Sequence, residues 1–406
     1  MVGRRPSPST REVVRDPHDP DRRWGYRGTR TILIAGGGTA GHVFPALAVA
    51  RELTAQAADV EVVFVGVADR LEARLVPEAG FELETIDAVA IPRRPSPALL
   101  RVPGALRAGV RACRALIGER HAVAAVTFGG YVSFPLDRAA FREQLPLAIH
   151  EQNSVPGLTN RVAARWSDRV AVTFPGSVVR FRHQERCVIT GNPVRSDVLH
   201  LDREARREAA LASFGLDPDR RTVLVFGGSQ GARSINEAIV AAHGGWGDRK
   251  LQILHAAGGA GYTAAARAWE QARTAHPEGP FVKLVEFIDD MASAYAAADV
   301  VVCRAGATSM AELTVLGLPS VLIPYPHATA DHQRENAEAL ARAGGAAVID
   351  DEELTGRRLL ATLTPLLDDR STYDAMALGA RAFGRPDAAA AVARLVLELA
   401  PEGPPT

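Results

Sequence analysis

The stretch GGSQGAR, Gly227 to Arg233, sits between an apolar run, Thr222 to Phe226, and a helix-like pattern, Ile235 to Ala242. A glycine-rich elbow between a strand and a helix leaves backbone N–H groups unpaired and aimed at one spot, which suits an anion such as phosphate. A second elbow of the same build, GGGTAGH, covers Gly36 to His42 after the strand-like Thr31 to Ala35. Two such units, far apart in one chain, imply two nucleotide-fold halves facing each other.

Length and composition agree with that division. A chain of 406 residues exceeds the size at which one core usually stops growing. Apolar residues make up 47%, ample for two cores, and the formal net charge of zero gives no global pull toward nucleic acid. Cys113, Cys187 and Cys303 are scattered, odd in number and without a CxxC spacing, which reads as reduced thiols.

Strand-like runs at 31–35, 60–65, 122–127, 145–149, 169–173, 187–190, 222–226, 251–255, 281–285, 299–303, 319–323 and 346–349 alternate with helix-like stretches such as Pro45 to Gln56 and Met291 to Ala298. That alternation predicts an α/β fold with parallel sheets. Residues 1–30, rich in Arg, Asp and Pro, read as a disordered leader without the apolar segment of a signal peptide. The first domain is placed at 31–192 and the second at 193–365, joined near GNPVR. The Ala-rich end within 366–406 is expected to form a helix packing back on the first domain.

Gly36, Gly38 and Gly41 fit G-x-G-x-x-G, a dinucleotide fingerprint. An oxidoreductase would want an acidic residue at the end of the next strand, and none follows VEVVFVG until Asp69. His42, at the positive end of a helix, is expected to be neutral. It could take a proton from a sugar hydroxyl, or simply bond backbone as a capping residue. The second elbow lacks GK[ST], so it is not a Walker loop. In CRAGATSMAEL, Cys303 to Leu313, Gly306, Thr308 and Ser309 make a third anion-receptive turn. Glu312 beside it can accept from both hydroxyls of a ribose, although an isolated Glu there would merely favour the helix dipole. Gln333 and Asn336 lie three apart on one helical face and suit sugar hydroxyls; without the loop they would read as a solvated face.

Taken together, GGGTAGHVFPALAVA, FGGYVS, HEQNSVPGLTN, GNPVR, GGSQGARSIN, EFIDDM, CRAGATSMAE and PYPHATADHQRENA resemble the MurG family, in that family's order across about 31–345. The resemblance implies a GT-B fold: two Rossmann-like domains with parallel sheets facing a central cleft. It implies an inverting transferase that moves N-acetylglucosamine from UDP-N-acetylglucosamine to the C4 hydroxyl of undecaprenyl-diphospho-muramyl-pentapeptide. Arg195 and Ser229 would hold the donor pyrophosphate, and Ile288 would meet uracil through its backbone. Ala307, Thr308, Ser309, Met310 and Ala311 would cradle phosphate, Glu312 would take the ribose, and Gln333 and Asn336 the sugar. Thr39, Ala40, Gly41 and Asn153 would complete the donor site where it meets the acceptor pyrophosphate. Gly129, Gly130, Tyr131, His150 and Asn160 would face the acceptor, and Asn236 falls on a further polar position of the family. The family usually has glycine where Ala40 stands, and tolerance is expected.

A single displacement needs one base, for which His42 is the first candidate and Glu151 the second. No cofactor or metal is expected: no D-x-D closes a strand of the second domain, Asp217 to Asp219 being in a turn and Asp289-Asp290 reading as a helix cap. The lipid-bound acceptor implies a peripheral enzyme on the cytoplasmic face of an anionic inner membrane. Ile91 to Arg114, with its mixed arginines and leucines, is the expected docking segment. The competing readings are a related sugar-nucleotide enzyme, either an epimerase or a transferase with another lipid acceptor, and a non-catalytic nucleotide-sugar-binding protein.

Overall fold

The computed structural model describes residues 29–88, 102–228, 231–247 and 249–400, together with the short paired strands β1 (Val13–Val14) and β2 (Gly25–Tyr26). Those two strands fall inside the segment expected to be disordered; the remainder of 1–28 lies outside the described residues.

The first lobe alternates β3 (Arg30–Ala35), α1 (Ala40–Gln56), β4 (Val60–Gly66), α2 (Leu71–Glu78) and β5 (Glu82–Thr85). It continues through α3 (Val102–Glu119), β6 (Ala122–Thr127), α4 (Ser133–Glu143), β7 (Leu147–Glu151), α5 (Leu158–Ala163), β8 (Arg169–Val172) and β9 (Cys187–Ile189). Its sheet is parallel throughout, ordered β5-β4-β3-β6-β7-β8-β9. Strands covered by helices on both faces become continuous apolar runs, and β3, β6 and β7 are buried at every residue.

The second lobe opens with α6 (Ser196–Leu199) and α7 (Arg203–Phe214). Its Rossmann-like core runs β10 (Arg221–Phe226), α8 (Arg233–Ala241), β11 (Leu251–Ala256), α9 (Gly259–Ala275), β12 (Phe281–Val285), α10 (Met291–Ala297), β13 (Val300–Cys303) and α11 (Ala307–Leu316). It closes with β14 (Ser320–Leu322), α12 (His332–Arg342), β15 (Ala347–Val348) and α13 (Gly356–Asp368). The order β12-β11-β10-β13-β14-β15 is again all parallel. In both sheets the strand order reverses beside the first strand, which places each elbow at the crevice where such sheets bind ligands.

The terminal stretch expected as one helix forms two. α14 (Arg370–Phe383) stays on the second lobe against α11 and α13, and Gly384 to Asp387 interrupt the helix. Only α15 (Ala388–Leu399) crosses to the first lobe, where Val392, Ala393 and Val396 join Ile32, Val49 and Leu53 in one core. The crossing chain presses on Gly191 (φ +86°), where any Cβ would overlap the Arg385 side chain. Glycine is therefore required at that turn on both steric and conformational grounds.

Candidate active site

Three helices begin at the cleft without a side-chain cap among the described residues: α1 after Thr39, α8 after Ala232 and α11 after Gly306. Their first-turn N–H groups are unsatisfied donors carrying partial positive charge. α1 and α11 come from different lobes and meet: Thr308 Oγ1 lies 3.7 Å from where a Gly41 methyl would stand. Two positive helix ends converging on one gap suit a diphosphate. Ala40 opens α1 in ordinary helical conformation, so its methyl takes the place of the family glycine without backbone strain. Ser229 lies outside the described residues; next to it, Gly228 (φ +86°) and Gly231 (φ +74°) make the tight turn of the second elbow, closed by Gly231 N–H donating to Gly228 O at 2.9 Å.

On the first lobe, His42 is half-buried and its Nδ1 is 3.0 Å from Thr39 Oγ1. Burial lowers its pKa below the usual histidine value, and a hydrogen bond with the Gly37 carbonyl opposes this. The FGGY turn passes directly over it. Gly129 and Gly130 both have positive φ, and any side chain at Gly130 would crowd the His42 ring. Tyr131 lies over Gly38, with Cε1 3.3 Å from where a Cβ would be.

His150 is fully buried against Phe128 and its Nε2–H donates to Gly191 O at 2.9 Å. Burial pushes its ring down to about 4, so it is neutral and structural at physiological pH. Glu151, the second candidate base, turns its carboxylate into its own loop. Its carboxylate accepts from Asn153 N, Gly157 N and Asn160 Nδ2 at 2.9, 3.0 and 2.8 Å, with Asn153 Nδ2 at 3.3 Å, and it is 1% exposed. Burial raises its pKa while those donors oppose the rise. Both oxygens are committed to shaping the loop, and Asn160, expected to face the acceptor, serves the same hub.

On the second lobe, Glu312 is 4% exposed and accepts from Tyr295 O–H at 2.8 Å. Its other oxygen is 3.0 Å from Arg195 Nε, whose N–H is not aligned on it, so the contact is charge pairing. Burial raises the Glu312 pKa, against the Arg195 charge. Arg195 also stacks on Phe44 of α1, 4.9 Å from the ring centroid, and so joins the lobes. Ile288 is buried in the second core. Ala307, Met310 and Ala311 line a cavity of about 180 Å³ together with Phe174, Gly191 and Asn192.

Asn336 departs from its expected role as a free sugar ligand. It is fully buried; Oδ1 accepts from Ser154 N–H at 2.9 Å, and Nδ2 reaches Asn153 Oδ1 at 3.2 Å and Ala305 O at 3.3 Å. Beside it, Arg180 of the first lobe contacts both oxygens of Glu335 at 2.7 Å. Asn336 thus fastens the lobes together in this state. Gln333 remains partly exposed, its Oε1 accepting from Tyr325 N–H at 3.0 Å. Asn236 lies in a buried chain in which His255 Nε2–H donates to its Oδ1 and Trp269 Nε1–H donates to His255 Nδ1, both at 3.0 Å. That chain is internal support for the second elbow.

Residues 32–172 match the glycosyltransferase family 28 N-terminal domain, and residues 222–392 match the family's C-terminal domain. The chain belongs to glycosyltransferase family 28. A Nocardioides protein named UDP-N-acetylglucosamine--N-acetylmuramyl-(pentapeptide) pyrophosphoryl-undecaprenol N-acetylglucosamine transferase is 45% identical over 368 residues, covering 91% of this chain and 98% of its own. A Mycolicibacterium smegmatis protein of the same name is 42% identical, covering 91% and 94%. The crystal structure of Acinetobacter baumannii MurG superposes with a TM-score of 0.71 at 29% identity, over 91% of this chain and 99% of that one. A Neisseria meningitidis UDP-GlcNAc 2-epimerase shares the fold alone, at 12% identity, 91% and 100% coverage and a TM-score of 0.68. Membership fixes the two-lobed GT-B architecture and glycosyl transfer as the chemistry. Sequence reasoning missed Glu72, Phe44 and Tyr295, which touch the site only through the tertiary fold. Among the described residues no cluster of three or more His, Cys, Asp or Glu could hold a metal.

Proposed function

We propose that this chain transfers N-acetylglucosamine from UDP-N-acetylglucosamine to the C4 hydroxyl of undecaprenyl-diphospho-muramyl-pentapeptide, inverting the anomeric centre. The convergence of the α1 and α11 N-termini on one gap supports this reading most directly. The names of the relatives supply the donor and acceptor.

In the reaction the acceptor O4 attacks the anomeric carbon from the face opposite UDP. The new C1–O4 bond forms as the bond from C1 to the diphosphate oxygen breaks, and the electron pair leaves with UDP. The O4 proton passes to His42. With its one N–H given to the Gly37 carbonyl, the neutral ring keeps its other nitrogen as the basic one. The lowered pKa keeps the ring neutral and ready to accept. Charge developing on UDP is met by the first-turn N–H groups of α11, fixed dipoles that need little reorganisation, and by the Arg195 cation. Glu312 takes the ribose diol, and the partly exposed Gln333 takes a hydroxyl of the sugar.

The acceptor's lipid calls for peripheral binding to an anionic membrane. No described helix is long and apolar enough to cross a membrane. The docking segment at 91–101 lies outside the described residues, and its continuation is α3. There Arg107, Arg111 and Arg114 face Arg138 and Arg142 of α4 across a cavity of about 480 Å³ floored by Leu106, Val110 and Phe134. A basic rim on an apolar floor suits acidic headgroups above acyl chains. The deciding assay measures UDP release from UDP-N-acetylglucosamine with and without lipid-linked muramyl-pentapeptide. Acceptor-dependent release supports transfer; tight donor binding without release under this acceptor removes it.

A further inference from the structure

The geometry points to Glu72 as a positioning residue for the transfer, acting through the first glycine loop. It rests on the proposed reaction, with His42 as base.

Glu72 sits in the first turn of α2, where the helix dipole favours its charge, yet it is 1% exposed. A buried carboxylate needs partners, and this one takes them from backbone. Oε2 accepts from Gly38 N–H at 2.9 Å, and Oε1 lies 3.4 Å from Val67 N. Two glycines make the space: a Cβ at Gly37 would overlap the carboxylate, and one at Gly66 would stand 2.8 Å from Glu72 Cγ. The N–H that a dinucleotide phosphate would use at Gly38 is thus held by an internal anion.

This changes what the first elbow is for. Glu72 holds Gly37 and Gly38 from below while Tyr131 covers Gly38 from above. The Gly37 carbonyl so fixed bonds to the His42 ring, and Thr39, one residue past Gly38, bonds to Nδ1. The carboxylate therefore sets where the base stands without touching substrate. Displacement of a reacting group by about 1 Å can cost on the order of 100-fold in rate.

The test compares wild type, Glu72→Gln, Glu72→Ala, Gly37→Ala and the double variant Glu72→Ala/Gly37→Ala, with UDP-N-acetylglucosamine and a short-chain lipid-linked muramyl-pentapeptide. Glu72→Gln keeps the shape and loses the charge, and is expected to lower kcat about 10-fold; Gly37→Ala is expected to lower it about 100-fold. Both should retain wild-type UDP affinity by calorimetry, since UDP sits on the second lobe. The isosteric Glu72→Gln should melt close to wild type, while Gly37→Ala melts lower because its methyl overlaps the carboxylate. The acid limb of the kcat profile should move to lower pH as the Gly37 carbonyl loosens its hold on His42. The double variant should be no worse than Glu72→Ala alone, because the added methyl enters vacated space. Wild-type kcat and an unmoved acid limb in Glu72→Gln overturn the assignment. So does a loss of kcat that merely follows loss of UDP affinity or of melting temperature. Should Glu72→Gln fail to fold, Gly37→Ala is held to the same two criteria. An inactive wild type would instead overturn the transfer reading itself.

Discussion

Arg195 Nε lies 3.0 Å from Glu312 Oε1, and the same guanidinium stacks on Phe44 of the opposite lobe. One cation thus covers the carboxylate that the proposed donor needs for its ribose. On the proposed reading, donor binding exchanges partners: the ribose diol replaces Arg195 on Glu312, and Arg195 turns to the diphosphate. A charged hydrogen bond contributes about 1.5–3 kcal/mol. Glu312→Ala should therefore weaken both uridine and UDP by about 10- to 100-fold. Arg195→Ala should weaken UDP while leaving uridine unchanged or tighter. Calorimetry with the two ligands checks the pattern, and equal losses for both variants on both ligands would remove the exchange.

Asn336 holds the lobes closed through Ser154 and Asn153, with Arg180 and Glu335 beside it. The exposed ion pair contributes little, roughly 0–1 kcal/mol, so the buried amide dominates. Asn336→Ala should open the lobes and raise the radius of gyration in solution scattering. It should lower kcat more than it raises the donor KM, because the acceptor face is what separates. Arg180→Ala should change neither measurably.

How much of this could be read in advance depends on the range of the interaction. Both glycine elbows announce themselves locally, because a strand, a sharp turn and a helix start are adjacent in sequence. β5, ELET at 82–85, carries no apolar run and is half-exposed at the sheet edge, so only its pairing with β4 defines it. The break between α14 and α15 was legible in Gly384 and Pro386, yet the alanine-rich periodicity on either side masks it. Glu72 was out of reach: it lies 34 residues from the Gly38 N–H it holds, and no spacing rule links a first-turn glutamate to a distant loop. Glu151 and Asn336 are a different case. Their places near the cleft follow from the motifs, but whether a polar group faces substrate or its own backbone is decided by packing.

With His42 as base, activity must fall on acidification as the ring takes up its proton. Burial lowers the His42 pKa, and the nearby His150, itself at about 4, stays uncharged through the working range. The acid limb of kcat/KM should therefore have its midpoint below the 6.5 of an ordinary histidine. His42→Ala should abolish the limb together with most of the rate, while UDP affinity persists. A limb that survives in His42→Ala would assign the base elsewhere.

Stability should carry a separate acid signature from His255. Burial pushes its ring down to about 4 from 6.5, and its two nitrogens are spoken for by Asn236 and Trp269. A histidine with a depressed folded pKa binds more protons unfolded than folded below pH 6.5, so its contribution is complete above that value. It is lost as the pH falls toward about 4, and at pH 5 the loss amounts to about 2 kcal/mol. Asp137 works in the opposite direction: buried and raised to about 7, it favours the folded state as acid is added. The comparison must therefore be between variants at each pH, not along the wild-type curve. His255→Gln keeps a donor and an acceptor in place and removes the titration. In urea unfolding at pH 7.5 and pH 5, the variant should lose about 2 kcal/mol less than wild type between the two conditions. Equal losses would mean that His255 is not held neutral in the native state.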